Sequence, residues 1–129
     1  MLDLVAAYVR HAIRVSEKTG GKLDPDFWAF SEVNERIRGD AEDAWDLMLA
    51  ILSAIPDVAL DYVSAGPLED LVRIHGQTLI NRIDDEARRN PQFRSALGRI
   101  WLTVNVLPSP ILARLQRASG NQILILGSS

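Results

Sequence analysis

Apolar residues recur every three or four positions along most of the chain, the spacing of amphipathic helices. Over residues 2–18 the stripe is Leu2, Val5, Val9, Ala12 and Ile13, with Arg10, Arg14 and Lys18 on the other side. Thr19-Gly20-Gly21 is a stop signal, and Lys22 falls in the loop after it. Asp24-Pro25 reads as a cap followed by a first-turn proline. The stripe Phe27, Phe30, Val33 and Ile37 then predicts a helix over residues 25–38. Gly39 closes it and Asp40 caps the next. Residues 41–55 carry Trp45, Met48, Leu49, Leu52 and Ile55 on one face and Glu42, Asp43 and Asp46 on the opposite one.

Pro56 ends that helix, and Asp57 opens a short one reaching about Ser64. Gly66-Pro67 is the clearest punctuation in the chain. Pro67 suits a first helical position, with Glu69 and Asp70 in the first turn, where the helix dipole favours carboxylates. Leu68, Leu71, Val72 and His75 share a face. Gly76 either caps that helix in a left-handed conformation or lies inside one long helix over residues 67–90, because the apolar phase is nearly continuous across it. Asn90-Pro91 starts another helix, expected to turn Phe93, Leu97, Ile100, Trp101 and Val104 inward. Pro108 and Pro110 bracket a break before a last helix over residues 110–118. Ser119-Gly120-Asn121 is a turn, and the apolar tail Gln122–Leu126 is an added strand, a docked arm or a loose end. The fold class expected is all-α: an irregular bundle or small helical-repeat-like stack of seven to eight helices, forming one domain over residues 1–129.

Composition narrows the chemistry. The chain has 129 residues, 47% of them hydrophobic, and no cysteine. That length supports a core without disulfides, and the missing thiols exclude cysteine nucleophiles and thiolate metal sites. No window approaches the roughly 18–20 apolar residues of a membrane span, and the N-terminus lacks the pattern of a secretory signal. A cytoplasmic location is the default expectation.

The net charge of −3 averages two unlike regions. Between Asp24 and Asp61 there are ten acids and two bases; after Glu86 there are six arginines and no acid. Such a split marks a partner surface, a nucleic-acid face, or simply opposite sides of a solvated surface.

The segment Gly66, Pro67, Glu69, Asp70, His75 and Gly76 invites a reading as a metal or acid–base site. Its spacing argues otherwise: Glu69 and His75 are about 240° apart around a helix, and Asp70 and His75 about 140°. Helix-end roles account for these residues as they stand. A helix-turn-helix over Leu71–Ile83 is disfavoured by the acids Asp84, Asp85 and Glu86, which repel phosphates, and by Gln77 and Arg82 at normally apolar positions. No nucleophile elbow or phosphate-binding loop is present, so no metal or cofactor is expected. Trp45 and Trp101 lie on core stripes. Trp28 lies about 100° off its stripe, which suits partial exposure.

The run Ala65-Gly66-Pro67-Leu68-Glu69-Asp70-Leu71, followed by His75-Gly76, Glu86-Ala87-Arg88, Pro91, Phe93 and Trp101, resembles a family of small bacterial all-helical proteins known as a domain of unknown function. The resemblance covers about residues 40–101 and implies no activity. Three functional readings follow. The first is a non-enzymatic interaction module, immunity- or adaptor-like, that meets a basic protein partner through Trp28, Glu42, Asp43 and Asp46. The second is a small hydrolase or metal-dependent enzyme using Glu69, Asp70 and His75. The third is a nucleic-acid binder working through Arg88–Arg117, against which an isoelectric point near 5.3 argues. A homo-oligomer is compatible with each.

Overall fold

Helix α1 (Leu2–Glu17) opens the computed structural model, which describes residues 2–18 and 24–127. It ends one residue before the expected stop: Lys18 turns left-handed at φ 57° and its N–H returns to the Val15 carbonyl. Thr19-Gly20-Gly21 and Lys22 lie outside the described residues. The remaining elements are α2 (Phe27–Ile37), α3 (Ala41–Ala54), a 3-10 turn (Asp57–Ala59), the single turn α4 (Leu60–Val63), a π turn (Ser64–Leu68), α5 (Glu69–Arg89), α6 (Pro91–Leu97), β1 (Trp101–Thr103), α7 (Ser109–Ala118) and β2 (Leu124–Leu126). The protein is all-α apart from one short sheet. Among the described residues six helices are seven residues or longer, fewer than the seven to eight expected, chiefly because residues 69–89 form one helix.

The chain divides into two compact units, one through Val63 and one from Ser64. In the first, α1, α2 and α3 bury Tyr8, Val33, Ile37, Leu47, Met48 and Ile51 almost completely. Each such side chain contributes about 1.5–3 kcal/mol relative to remaining exposed. Asp40 caps α3 as its sequence position predicts: its carboxylate accepts the Asp43 N–H at 3.0 Å. Trp45 is buried, again as expected, but Phe27 is half exposed despite lying on the apolar stripe of α2.

In the second unit, the break expected at Gly66–Pro67 is replaced by the π turn, with Pro67 inside it. Proline lacks the N–H that an α-turn requires, and the wider turn absorbs the missing bond. Gly76 is buried within α5 and has no left-handed conformation, so the one-helix alternative holds. The Asn90 side chain accepts from the N–H groups of Gln92 and Phe93, starting α6 where predicted.

The helix expected to run from Asn90 to Val104 stops at Leu97, where Gly98 is its C-cap. Trp101 and Val104 are therefore exposed rather than inward, while Phe93, Leu97 and Ile100 reach the core. The tail is an added strand: β2 pairs parallel with β1, setting Trp101 opposite Leu124, Leu102 opposite Ile125 and Thr103 opposite Leu126. A parallel pair needs a crossover connection, and α7 supplies it. The Gln116 amide closes part of the sheet by bonding both the N–H and the carbonyl of Ile123, at 3.0 and 2.9 Å.

Candidate functional site

The densest polar arrangement in the first unit joins α1 to the start of α2. Arg10, His11 and Arg14 project from neighbouring positions of α1 toward Asp24 and Asp26. The Asp26 carboxylate accepts both Nε and Nη2 of Arg10, at 3.0 and 2.9 Å, and Nη1 of Arg14 at 2.6 Å. Asp24 accepts from Arg14 at 2.7 Å and from the Asp26 backbone N–H at 2.9 Å. His11 sits beneath, with Nδ1 2.7 Å from Asp24 and Nε2 2.9 Å from the Tyr62 hydroxyl. A carboxylate only accepts, so Nδ1 donates to Asp24. In the neutral ring, Nε2 then accepts from the Tyr62 O–H.

Charge and hydrogen bonding tune this cluster. The Arg10 and Arg14 guanidiniums hold Asp26 well below the ordinary carboxylate range, at about 2. Asp24 is also lowered, first by the His11 hydrogen bond and then by the Asp26 N–H. The Tyr62 phenol is pushed up by burial and by the charge of Asp24. An Asp–His–Tyr chain would activate a nucleophile only by easing deprotonation of the phenol. The chain ties α1 to Asp24 and to Tyr62 of α4, a clamp between segments of the first unit. The ring of His11 packs against Phe27, Phe30 and Tyr62 at centroid distances of 6.0, 5.6 and 5.7 Å.

This clamp was not read from the sequence. Its only local signal is a helix carrying Arg10, His11 and Arg14 before a loop carrying Asp24 and Asp26. The cap expected at Asp24 is instead an Asx-type turn through Oδ1, which also accepts from Arg14, while Oδ2 meets His11. No side-chain bond caps α2 from Asp26.

The clamp anchors the base of α2 next to two exposed rings. Phe27 is 54% exposed and Trp28 52%. Phe27 stacks on Phe30 at 5.5 Å. On α3, Glu42 and Asp46 are exposed. Asp43 differs: its carboxylate forms a two-bond pair with Arg36, at 3.1 and 2.7 Å, which lowers its pKa and raises that of Arg36.

The second unit keeps the Gly66–Gly76 residues apart. Glu69 accepts the Trp101 backbone N–H at 2.8 Å, anchoring the start of β1. Asp70 pairs with Arg73 one turn along α5, and His75 is half-buried farther along the helix. Gly66 and Pro67 belong to the π turn. Among the described residues no group of three or more histidine or acidic side chains is placed to hold a metal ion, and no helix is long and apolar enough to cross a membrane. The arginines after Glu86 divide. Arg88 and Arg114 both reach Asp84, and Arg89 reaches Glu86. Arg94 and Arg99 line an open cleft of about 360 Å³.

Neither the curated proteins nor the solved structures gave a match to this chain. One family does match, over residues 16–123, and by that extent the chain belongs to the family of unknown function DUF6869.

Proposed function

We propose that the protein is a non-enzymatic binding module whose first unit grips a protein partner. The observation that carries this reading is the pair of exposed aromatic rings, Phe27 and Trp28, at the clamped end of α2. Large rings half in water are the residue types that anchor protein interfaces, and anchors held in place before binding lose less entropy on association. The clamp of Arg10, Arg14, Asp24 and Asp26 supplies that rigidity.

The partner has a basic surface with an apolar recess for the indole. Glu42 and Asp46 are the exposed carboxylates that steer it, and complementary charges raise association rates more than they lengthen residence. Asp43 contributes by fixing α3 to α2 through Arg36.

The test is capture of one partner from extract of the native cell by immobilised protein. Trp28→Ala and the double variant Glu42→Lys/Asp46→Lys are compared with the unaltered chain, with circular dichroism verifying that all three fold. Loss of the same partner from both variants supports the reading. Undiminished capture by both sinks it.

A further inference from the structure

The cleft in the second unit is built from α6, the turn after it and the turn after α7, a stretch with no acidic residue at all. Its polar lining is Arg94, Ser95, Arg99, Ser119 and Gln122. Two arginines line one space, and among the described residues no acidic side chain lines it.

Arg94 is the informative member. Arg88, Arg89 and Arg114 are each paired with an acid. Among the described residues the Arg94 guanidinium has no ion pair or hydrogen bond. The guanidinium lies against Gly120. A Cβ on Gly120 would approach Arg94 Nη2 to 2.8 Å, and Gly120 adopts φ 70°, a conformation that side chains resist. Glycine there both makes the turn and leaves room for the guanidinium. The floor is equally close: Gly98 meets the Gln122 side chain so tightly that a Cβ would lie 2.7 Å from it.

The hydroxyls complete the donor set. Arg99 Nη2 donates to Ser95 Oγ at 3.3 Å, which leaves the Ser95 O–H free to donate into the cleft. Ser119 is already used, donating to the Gln116 carbonyl and accepting the Gln122 N–H, so it holds the wall and does not bind. Arginine pairs bidentately with tetrahedral or planar oxyanions, and two such groups beside a hydroxyl match the oxygens of a phosphate dianion. A space of about 360 Å³ lies at the small end of ligand sites, enough for a phosphate and a few attached carbons.

We infer that this cleft is a binding site for a small phosphomonoester, with Arg94 and Arg99 gripping the phosphate and Ser95 donating to it. It is separate from the proposed aromatic contact surface and does not depend on it.

The test is NMR titration of the full chain with inorganic phosphate and with glycerol phosphate at low ionic strength, following backbone amides and arginine Nε–H signals. The expected result is saturable binding of both, with shifts centred on Arg94, Ser95, Arg99 and Gly120. Glycerol phosphate should bind at least as tightly as phosphate. Arg94→Gln and Arg99→Gln should each weaken binding by roughly tenfold or more. Arg117→Gln, which removes an exposed arginine outside the cleft, should leave it unchanged. Absence of saturation by about 10 mM overturns the inference. Equal weakening by Arg117→Gln also overturns it, because that would mark diffuse attraction to a basic surface. The amide spectrum of each variant reports its fold, and Arg94→Lys, which keeps the charge without the fork, should bind with intermediate strength.

Discussion

Gly76→Ala asks whether α5 passes through residue 76 as regular helix. Glycine inside a helix costs about 1 kcal/mol relative to alanine, so the substitution carries a gain of that size. Packing opposes it. A Cβ at residue 76 would lie 3.6 Å from Val72 Cγ1, an ordinary contact, and 3.1 Å from Leu107 Cδ1, which is too close by a few tenths of an ångström. The tip of Leu107 must swing away, and a side chain forced off its rotamer costs about 0.5–1.5 kcal/mol. The two effects nearly cancel, so Gly76→Ala should unfold in urea within about 0.5 kcal/mol of the unaltered protein. With Leu107→Ala in the background the obstruction is gone and the helical gain stands alone. There Gly76→Ala should stabilise by about 1 kcal/mol, giving a coupling of similar size between the two positions. Urea unfolding followed by far-ultraviolet circular dichroism on the four proteins measures the cycle. A left-handed cap at Gly76 would reverse the sign, because alanine there costs about 1–2 kcal/mol whatever residue 107 is. Destabilisation by Gly76→Ala in the Leu107→Ala background would therefore refute the continuous helix.

Three further outcomes are expected. Asp26 titrates at about 2 instead of 3.8, so its stabilising contribution is complete above the ordinary value and lost as pH falls from there toward 2. Asp24 and Asp43 are shifted in the same direction. Acid unfolding should start below about pH 4, and Asp26→Asn should flatten that pH dependence; an unchanged slope would remove the clamp as its cause. Glu69→Ala should speed hydrogen exchange at the Trp101 amide by roughly tenfold while Glu69→Gln, which keeps an acceptor oxygen, restores most of the protection; equal exchange in all three proteins would show that the bond does not anchor β1. Among the described residues the buried Ser64 hydroxyl has no partner, so Ser64→Ala should be neutral or stabilising by up to about 1 kcal/mol in thermal unfolding, and a clear loss of stability would contradict that.

The helices were legible wherever their cause was local. The stripes of α1, α2, α3 and α7 repeat within a few residues, and Asp40, Pro56 and Asn90-Pro91 mark boundaries through bonds to their immediate neighbours. Trp101 shows where that reading fails. Its spacing from Leu97 continues a helical stripe, yet Gly98 ends α6 and residues 101–103 extend to pair with Leu124–Leu126. The partner strand lies some twenty residues onward, so no window around Trp101 contains the reason for its conformation. Gly98 is the one local signal of the stop, inside an apolar phase that continues past it.

The candidate sites divide in the same way. The exposure of Trp28 followed from its angle on the helix, whereas that of Phe27 did not, because the ring rests on His11, sixteen positions earlier. The clamp joins residues 13 and 51 positions apart, and the Asp43–Arg36 pair crosses the turn at Gly39. Periodicity reports which side of a helix is apolar and is silent about which charged groups meet.

By itself the sequence determined the all-α class, most helix limits, the lack of thiol chemistry and the acid-free stretch after Glu86, since all of these depend on composition or near-neighbour bonds. Only the tertiary structure decided that His11, Asp24 and Tyr62 form one chain, that Glu69 serves β1, and that Arg94 lies against Gly120. Those facts depend on which distant segments come within about 3 Å of one another, and hydrogen bonds and ion pairs are fixed at that distance.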